Sequence, residues 1–369
     1  MLLLKYDHNN IESLQKLKNS FAHKRNTMKT TRLRNRSKFS IAILLIFLFL
    51  IQIANASNKV RIATIGAASP SVNKNQTTAA YVEQMISFWD AQLNQVLKSK
   101  LDLIVLPEAC DVPTGLSYPE QKLYIKERKT KLLDFFAAKA RENNCYIAFG
   151  SVHEVDKGLR NSLIMLDRNG KVAGTYHKNF PTIYEMEGGI IPGDEAPIIQ
   201  CDFGKVAMSI CFDLNYDELR LKYVKQQPDI ILFSSVYHGG LMQGLWAYSC
   251  QSFLVSAIGV IQLPSEIVNP MGEIVASSTN YFNYTVSTIN LDYKLVHLDY
   301  NWQKLVKLKA KYGDAVTIHD PGKVGAVMIT SEDKNVSAAQ MVTEFDIELL
   351  DTYFDRSRMF RKKELEGTN

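Results

Sequence analysis

GKVAMSICFD, residues Gly204 to Asp213, reads as a short apolar strand that runs straight into a cysteine. Val206–Ile210 is an uninterrupted run of mostly apolar residues opened by a glycine, the pattern of a strand buried on both faces. A helix is predicted to begin near Asp217, so Cys211 falls at a strand-to-helix turn. Such a turn exposes a nucleophile and aims backbone N–H groups at a reacting carbonyl. The same grammar appears upstream in LDLIVLPEAC, residues 101–110, where a buried-pattern strand ends at Pro107-Glu108. Open α/β sheets place their ligand crevices at such strand ends.

Working outward, short strands alternate with amphipathic helices. Strands are predicted at Lys59–Ile65, Leu101–Leu106, Cys145–Ser151, Gly204–Ile210, Asp229–Phe233, Val255–Gln262, Glu273–Ala276 and Val286–Leu291. Asn161–Leu166 and Lys171–Thr175 form a hairpin across Asn169-Gly170, a strong turn signal. Helices are predicted at Thr77–Leu97, Leu123–Glu142, Leu241–Gln251, Trp302–Tyr312 and Phe345–Phe354. The alternation implies an α/β fold with helices covering sheets, and the hairpins argue against a purely parallel sheet. Residues 57–297 read as one catalytic domain and 298–369 as a C-terminal extension that packs on it or on a partner subunit.

Residues 1–56 read differently. They carry a net charge of +8, so the chain's total of +5 leaves −3 for the remainder. No basic excess is left there to hold a phosphate backbone, which sets nucleic-acid binding aside. The basic stretch Lys29–Lys38, the apolar run Ile41–Ile53 and Ala54-Asn55-Ala56 form a signal-peptide pattern. The apolar run is short of the roughly 20 residues a permanent span needs. Secretion or periplasmic export, with cleavage after Ala56, is the expectation, and the membrane is met only through this leader. Met28 stands just before the basic stretch and is a candidate true start, with residues 1–27 a mis-called extension. Asn75, Asn283 and Asn335 open N-x-S/T sequons, which matter only on a eukaryotic secretory route.

The five cysteines (Cys110, Cys145, Cys201, Cys211 and Cys250) are odd in number and contain no CxxC pair, against a zinc cluster or a disulfide framework. No two histidines have helical metal-ligand spacing. Glu108, Lys178 in Tyr176-His177-Lys178-Asn179, and Cys211 make a chemically coherent set: a general base, a cation for an oxyanion, and a nucleophile. Singly each is weak. A cysteine on an apolar strand is usually a small core residue, and composition cannot choose among five.

The motifs DLIVLPEA around Glu108, YHKN around Lys178 and IPGDEAPIIQCDFGKVAMSICFD ending at Asp213, with the spacing between them, resemble the nitrilase (carbon–nitrogen hydrolase) superfamily over roughly residues 59–292. The Cys211-x-Asp213 step followed by Asn215-Tyr216 is similar to its amidase and carbamoylase-like branch. The resemblance implies a four-layer α-β-β-α sandwich, assembled as a homodimer or larger. It implies a Glu108–Lys178–Cys211 triad cleaving an amide-like small molecule through a thioester, with no metal or organic cofactor. Phe212 would add a backbone oxyanion donor. A further glutamate would orient the lysine: Glu187 is preferred because Glu-Gly shortly before Pro-Gly resembles the amidase pattern, with Glu185 the alternative. Tyr237 and His238, after the strand that follows Cys211, are candidate substrate contacts. A nitrilase or N-acyl transferase on the same triad stays open, as does a non-catalytic binding protein on this fold.

Overall fold

The computed structural model describes residues 58–72 and 76–367. The leader, its cleavage site and the Met28 start fall outside them. In chain order, β1 (Lys59–Ile65) leads to α1 (Thr78–Asn94) and β2 (Leu103–Val105), then to α2 (Tyr118–Arg128) and α3 (Lys131–Asn143). A meander follows, β3 (Tyr146–Val155), β4 (Gly158–Leu166) and β5 (Val172–His177), then a short α4 (Ile183–Glu187). Next come β6 (Ile199–Gln200), β7 (Lys205–Ile210), α5 (Asp217–Gln226), β8 (Ile230–Ser235), α6 (Leu241–Cys250) and β9 (Phe253–Ile258). The strands β10 (Glu266–Val268), β11 (Ile274–Ser277), β12 (Tyr284–Asn290) and β13 (Tyr293–His297) precede α7 (Trp302–Tyr312). The chain closes with β14 (Val316–His319), β15 (Ala326–Ser331), α8 (Ala338–Glu344) and α9 (Leu350–Gly367).

Two six-stranded sheets result, ordered β12-β1-β2-β3-β4-β5 and β11-β10-β9-β8-β7-β6. In each, three adjacent strands are parallel (β1, β2, β3 and β7, β8, β9) and the flanking pairs are antiparallel. The period-2 alternation of a strand decides the layering. Val60 and Ile62 of β1 join Leu103, Val105 and Leu163 against Val206, Met208 and Ile210 of the second sheet. Their neighbours Ala63 and Ile65 turn to the other side and pack on Met85 and Trp89 of α1 and Phe136 of α3. Leu219, Tyr223 and Trp246 of α5 and α6 cover the second sheet. The architecture is the α-β-β-α sandwich. Polar stitches cross the sheet interface: Ser234 donates to the carbonyl of Leu106 at 2.7 Å, and Thr64 to that of Ser256.

Two predicted helices are corrected. Leu123–Glu142 is two helices, broken where Lys129 takes a left-handed φ of 51°. The first starts upstream, at a capping box of Ser117 and Glu120 with Pro119 in its first turn, a start signal present in the sequence. Phe345–Phe354 is likewise not one helix: α8 ends at Glu344, Asp346 takes φ 49°, and α9 begins at Leu350. The turn exists because Ile347 leaves the helical path to be buried beside Val296 and Leu305. These belong to the core of the C-terminal extension, built on a three-stranded sheet β13-β15-β14. Its first strand therefore comes from residues before 298. Among the described residues no helix is long and apolar enough to cross a membrane.

Two tryptophans tie this framework to the loops that carry polar chemistry. A buried indole N–H needs an acceptor. Trp89 donates to the carbonyl of Cys110 at 2.6 Å and Trp246 to that of Leu214 at 3.0 Å. The first anchors the turn after β2, the second the turn after β7.

Candidate active site

Glu108, Lys178 and Cys211 each lie just beyond a strand end, after β2, β5 and β7. Two come from the first sheet and one from the second, so the sandwich itself brings them together at one edge. The Glu108 turn lies flat on β3. A Cβ on Gly150 would stand 2.3 Å from the carbonyl oxygen of Pro107 and 2.6 Å from Cα of Glu108, so only glycine permits that approach. Cys211 sits at the sharpest point of its own turn. Strand β7 ends at Ile210, a short 3-10 turn spans Cys211–Asn215, and Cys211 has φ 47°. A non-glycine residue held left-handed costs on the order of 1–3 kcal/mol and persists only where its surroundings enforce it.

Asp213 is the enforcing group. Its carboxylate is fully buried and accepts from the hydroxyl of Tyr176 at 2.7 Å, the N–H of Ile210 at 2.8 Å and the N–H of Phe180 at 2.9 Å. Burial pushes its pKa up to about 6, against the pull of those three donors. One carboxylate thus ties the cysteine turn to the segment on either side of Lys178.

The ammonium of Lys178, 1% exposed, lies between two carboxylates. It donates to Glu108 Oε1 at 2.7 Å and to Glu185 at 2.9 and 2.8 Å. Asn161 bridges the same pair, its Nδ2 donating to Glu108 Oε1 at 2.8 Å and Glu185 Oε1 at 2.9 Å. The N–H of Val236 reaches Glu108 Oε2 at 3.2 Å. Burial alone would lower the lysine pKa, but the charges of Glu108 and Glu185 outweigh it and hold Lys178 above the ordinary lysine range. Burial would likewise raise Glu185, and Lys178 instead holds it below the usual carboxylate range. The Cys211 thiol is pushed up to about 12, by burial first and by Glu108 second, while Lys178 opposes the shift. At rest Cys211 is therefore a neutral thiol close to Glu108 and Lys178.

The preference for Glu187 is overturned: Glu185 holds the lysine, and Glu187 is exposed to solvent. The reason is local. Thr182 caps α4 and Glu185 is the reciprocal member of its capping box, its Oε2 accepting from the N–H of Thr182 at 2.7 Å. That contact turns the carboxylate back toward the chain leaving β5, where Lys178 stands. Phe212 and Tyr237 line the cavity beside Cys211, Tyr237 largely exposed at its mouth. His238 does not line it: the ring turns away, with Nε2 3.1 Å from the buried Glu266 and Nδ1 accepting from the N–H of Gly240. The other four cysteines are buried. Asn161 carries no signal of its role in the sequence, flanked as it is by the polar Arg160 and Ser162.

The cavity holding these groups measures about 730 Å³, within the usual size range for small-molecule sites. A larger one, about 1080 Å³ at the ends of β1 and β9, is lined by neutral residues and contains no cysteine. Among the described residues no cluster of three or more His, Cys, Asp or Glu could hold a metal.

The chain resembles known proteins in sequence and in fold. A hydrolase of Schizosaccharomyces pombe is 21% identical over 208 residues, half of this chain and 65% of that one, so the match spans just under two thirds of that relative. The omega-amidase NIT2 of Xenopus tropicalis is 24% identical over 226 residues, covering 54% of this chain and 81% of that protein. Among solved structures, a mutant of the Nesterenkonia AN1 amidase from the nitrilase superfamily superposes with a TM-score of 0.56 at 13% identity, over 71% of this chain and 99% of that one. The family model for carbon-nitrogen hydrolases matches residues 61–299, more than half of the sequence. The chain belongs to the carbon–nitrogen hydrolase family.

Proposed function

We propose that the protein hydrolyses an amide-like bond of a small molecule through a thioester on Cys211. The observation that carries this reading is the convergence of Glu108, Lys178 and Cys211 in one cavity, with the lysine locked between two carboxylates. Glu108 takes the thiol proton as the sulfur attacks the carbonyl carbon, which is needed because a thiol with a pKa near 12 is protonated at neutral pH. The oxyanion forms beside the Lys178 ammonium, with the backbone N–H of Phe212 as second donor. Collapse breaks the C–N bond, and Glu108 returns its proton to the leaving amine. Water then attacks the thioester, with Glu108 as base, and releases a carboxylic acid and the free thiol. Glu185 and Asn161 are positioning residues that hold Lys178 and Glu108 in register. In the same reading, residues 1–56 export the protein and are removed after Ala56, supported by the basic, apolar and small-residue sequence of that segment.

The test is to mix the enzyme with a panel of simple amides, quench with acid and map the cysteines by mass spectrometry. An acyl adduct on Cys211, with ammonia released and both lost in Cys211→Ala, is the expected result. An adduct on another cysteine, or amide hydrolysis that survives Cys211→Ala, overturns the assignment.

A further inference from the structure

The active-site cavity has a charge balance that bears on its substrate. Its charged lining residues are Glu108, Glu185 and Lys178, a net charge of −1. Both carboxylates already bind the one ammonium, so among the described residues no lining cation remains to receive a second negative group. The nearby guanidinium of Arg160 is also committed, to the carbonyls of Ile191 and Pro192. His238, the remaining basic candidate from the sequence, faces Glu266. The rest of the wall is neutral, with Gln121, Asn161, Thr182 and Asn215 among apolar side chains. Val152, Ile190, Leu214, Phe233 and Met242 line the cavity. At the mouth Tyr118 and Tyr184 form a tilted ring pair 5.2 Å apart. Tyr184 and Tyr237 are 71% and 72% exposed, aromatic faces left open next to a reactive centre.

Taking Cys211 as the thioester-forming nucleophile, we infer that the acyl group accepted here is uncharged and apolar: an aliphatic or arylaliphatic monoamide, not the monoamide of a dicarboxylic acid. An ionised carboxylate carried into this cavity would lose its water and meet a net negative wall without a partner, which buried charges do not tolerate. An apolar chain instead displaces water from the leucine, phenylalanine and methionine surfaces. The volume of about 730 Å³ leaves room for a chain or ring well beyond acetamide.

The experiment compares neutral and charged amides: hexanamide, close in size, and the larger 4-phenylbutanamide against glutaramate, and glutaramate against its own methyl ester. The neutral members are expected to exceed glutaramate in kcat/KM by on the order of 10²-fold, the scale set by an unpaired charge in a low-dielectric site. The Tyr237→Arg variant, at an exposed position, supplies the missing cation and should narrow that ratio by roughly tenfold, the scale of one partly exposed ion pair. Glutaramate turned over as fast as its ester or faster, with the acyl adduct on Cys211, overturns this inference and leaves the thioester reading standing. A ratio unmoved by Tyr237→Arg overturns charge as the determinant. Failure of every amide to label Cys211 overturns the thioester reading and this inference with it.

Discussion

Removing the Asp213 carboxylate should cost both stability and rate, and the structure sets the scale of each. The side chain is wholly buried and accepts three hydrogen bonds, from Tyr176, Ile210 and Phe180. Asp213→Ala would leave those donors unpaired. Each orphaned buried donor costs about 1–3 kcal/mol, and because the three share one acceptor the total should be less than the sum, about 3–5 kcal/mol. Asp213→Asn keeps one carbonyl oxygen but sets an NH₂ group among donors, of which only the Tyr176 hydroxyl can turn to accept, so about 1–3 kcal/mol is expected. Kinetically, the left-handed Cys211 is held by this carboxylate through Ile210, and a drift of about 1 Å in the sulfur costs on the order of 10²-fold in kcat. Urea unfolding followed by tryptophan fluorescence suits the first measurement, since Trp246 is bonded to Leu214 in the same turn. Turnover of a neutral amide gives the second. If Asp213→Ala stayed within about 1 kcal/mol of the parent and within threefold in kcat, the claim that this carboxylate fixes the nucleophile would be wrong, the margins being those of an unremarkable surface change.

Further outcomes follow from the same geometry. Glu185→Gln should lower kcat/KM by about 10²-fold by freeing one side of a buried lysine, whereas Glu187→Gln should stay within twofold; steady-state kinetics of the pair decides between them. His153 is held down to about 4 by burial first, then by His177, Arg128 and Arg160. The unfolded chain takes up that proton near 6.5, so between the two values the unfolded state binds more protons and stability falls as pH drops. Between pH 7 and pH 5 the loss should be roughly 1–2 kcal/mol after allowing for partial exposure, and His153→Gln should remove it from urea midpoints. Iodoacetamide should label Cys211 alone in the native protein, since the other four thiols are buried, and its rate should keep rising toward pH 11 because that thiol titrates near 12. Mass mapping that finds another cysteine labelled first would contradict the exposure order.

Much of the fold was legible because hydrophobic period and turn chemistry are local. Val206–Ile210, Leu103–Val105 and the Asn169-Gly170 hairpin appear where a strand pattern and a turn signal place them. Trp302–Tyr312 appears with its predicted ends. What failed was local as well as long-range. The merged Leu123–Glu142 helix missed a break at Lys129, whose left-handed backbone has no composition signal. The continuous Phe345–Phe354 helix missed the pull of Ile347 into a core made by Val296 and Leu305, residues some forty to fifty positions away in sequence. The pairing of β13 with β15 is of the same kind, since no window of sequence contains both strands.

The glutamate beside the lysine is specified by local sequence alone. Thr182-Ile183-Tyr184-Glu185 has the spacing of a helix capping box. That box alone requires Glu185 to reach back to the N–H of Thr182, toward the strand end that carries Lys178, and denies the same reach to Glu187, two residues further along. Resemblance to an Glu-Gly pattern pointed at Glu187; the hydrogen-bonding needs of the first helical turn point at Glu185, where the contact lies. Asp213 follows the same logic from the other side. Its place two residues after Cys211 suggested only a family likeness, and its function emerges from the three donors that converge on it from two sheets. A site residue that satisfies backbone near its own position can be read from sequence; one that satisfies backbone from a distant strand cannot, and this cavity is built from both kinds.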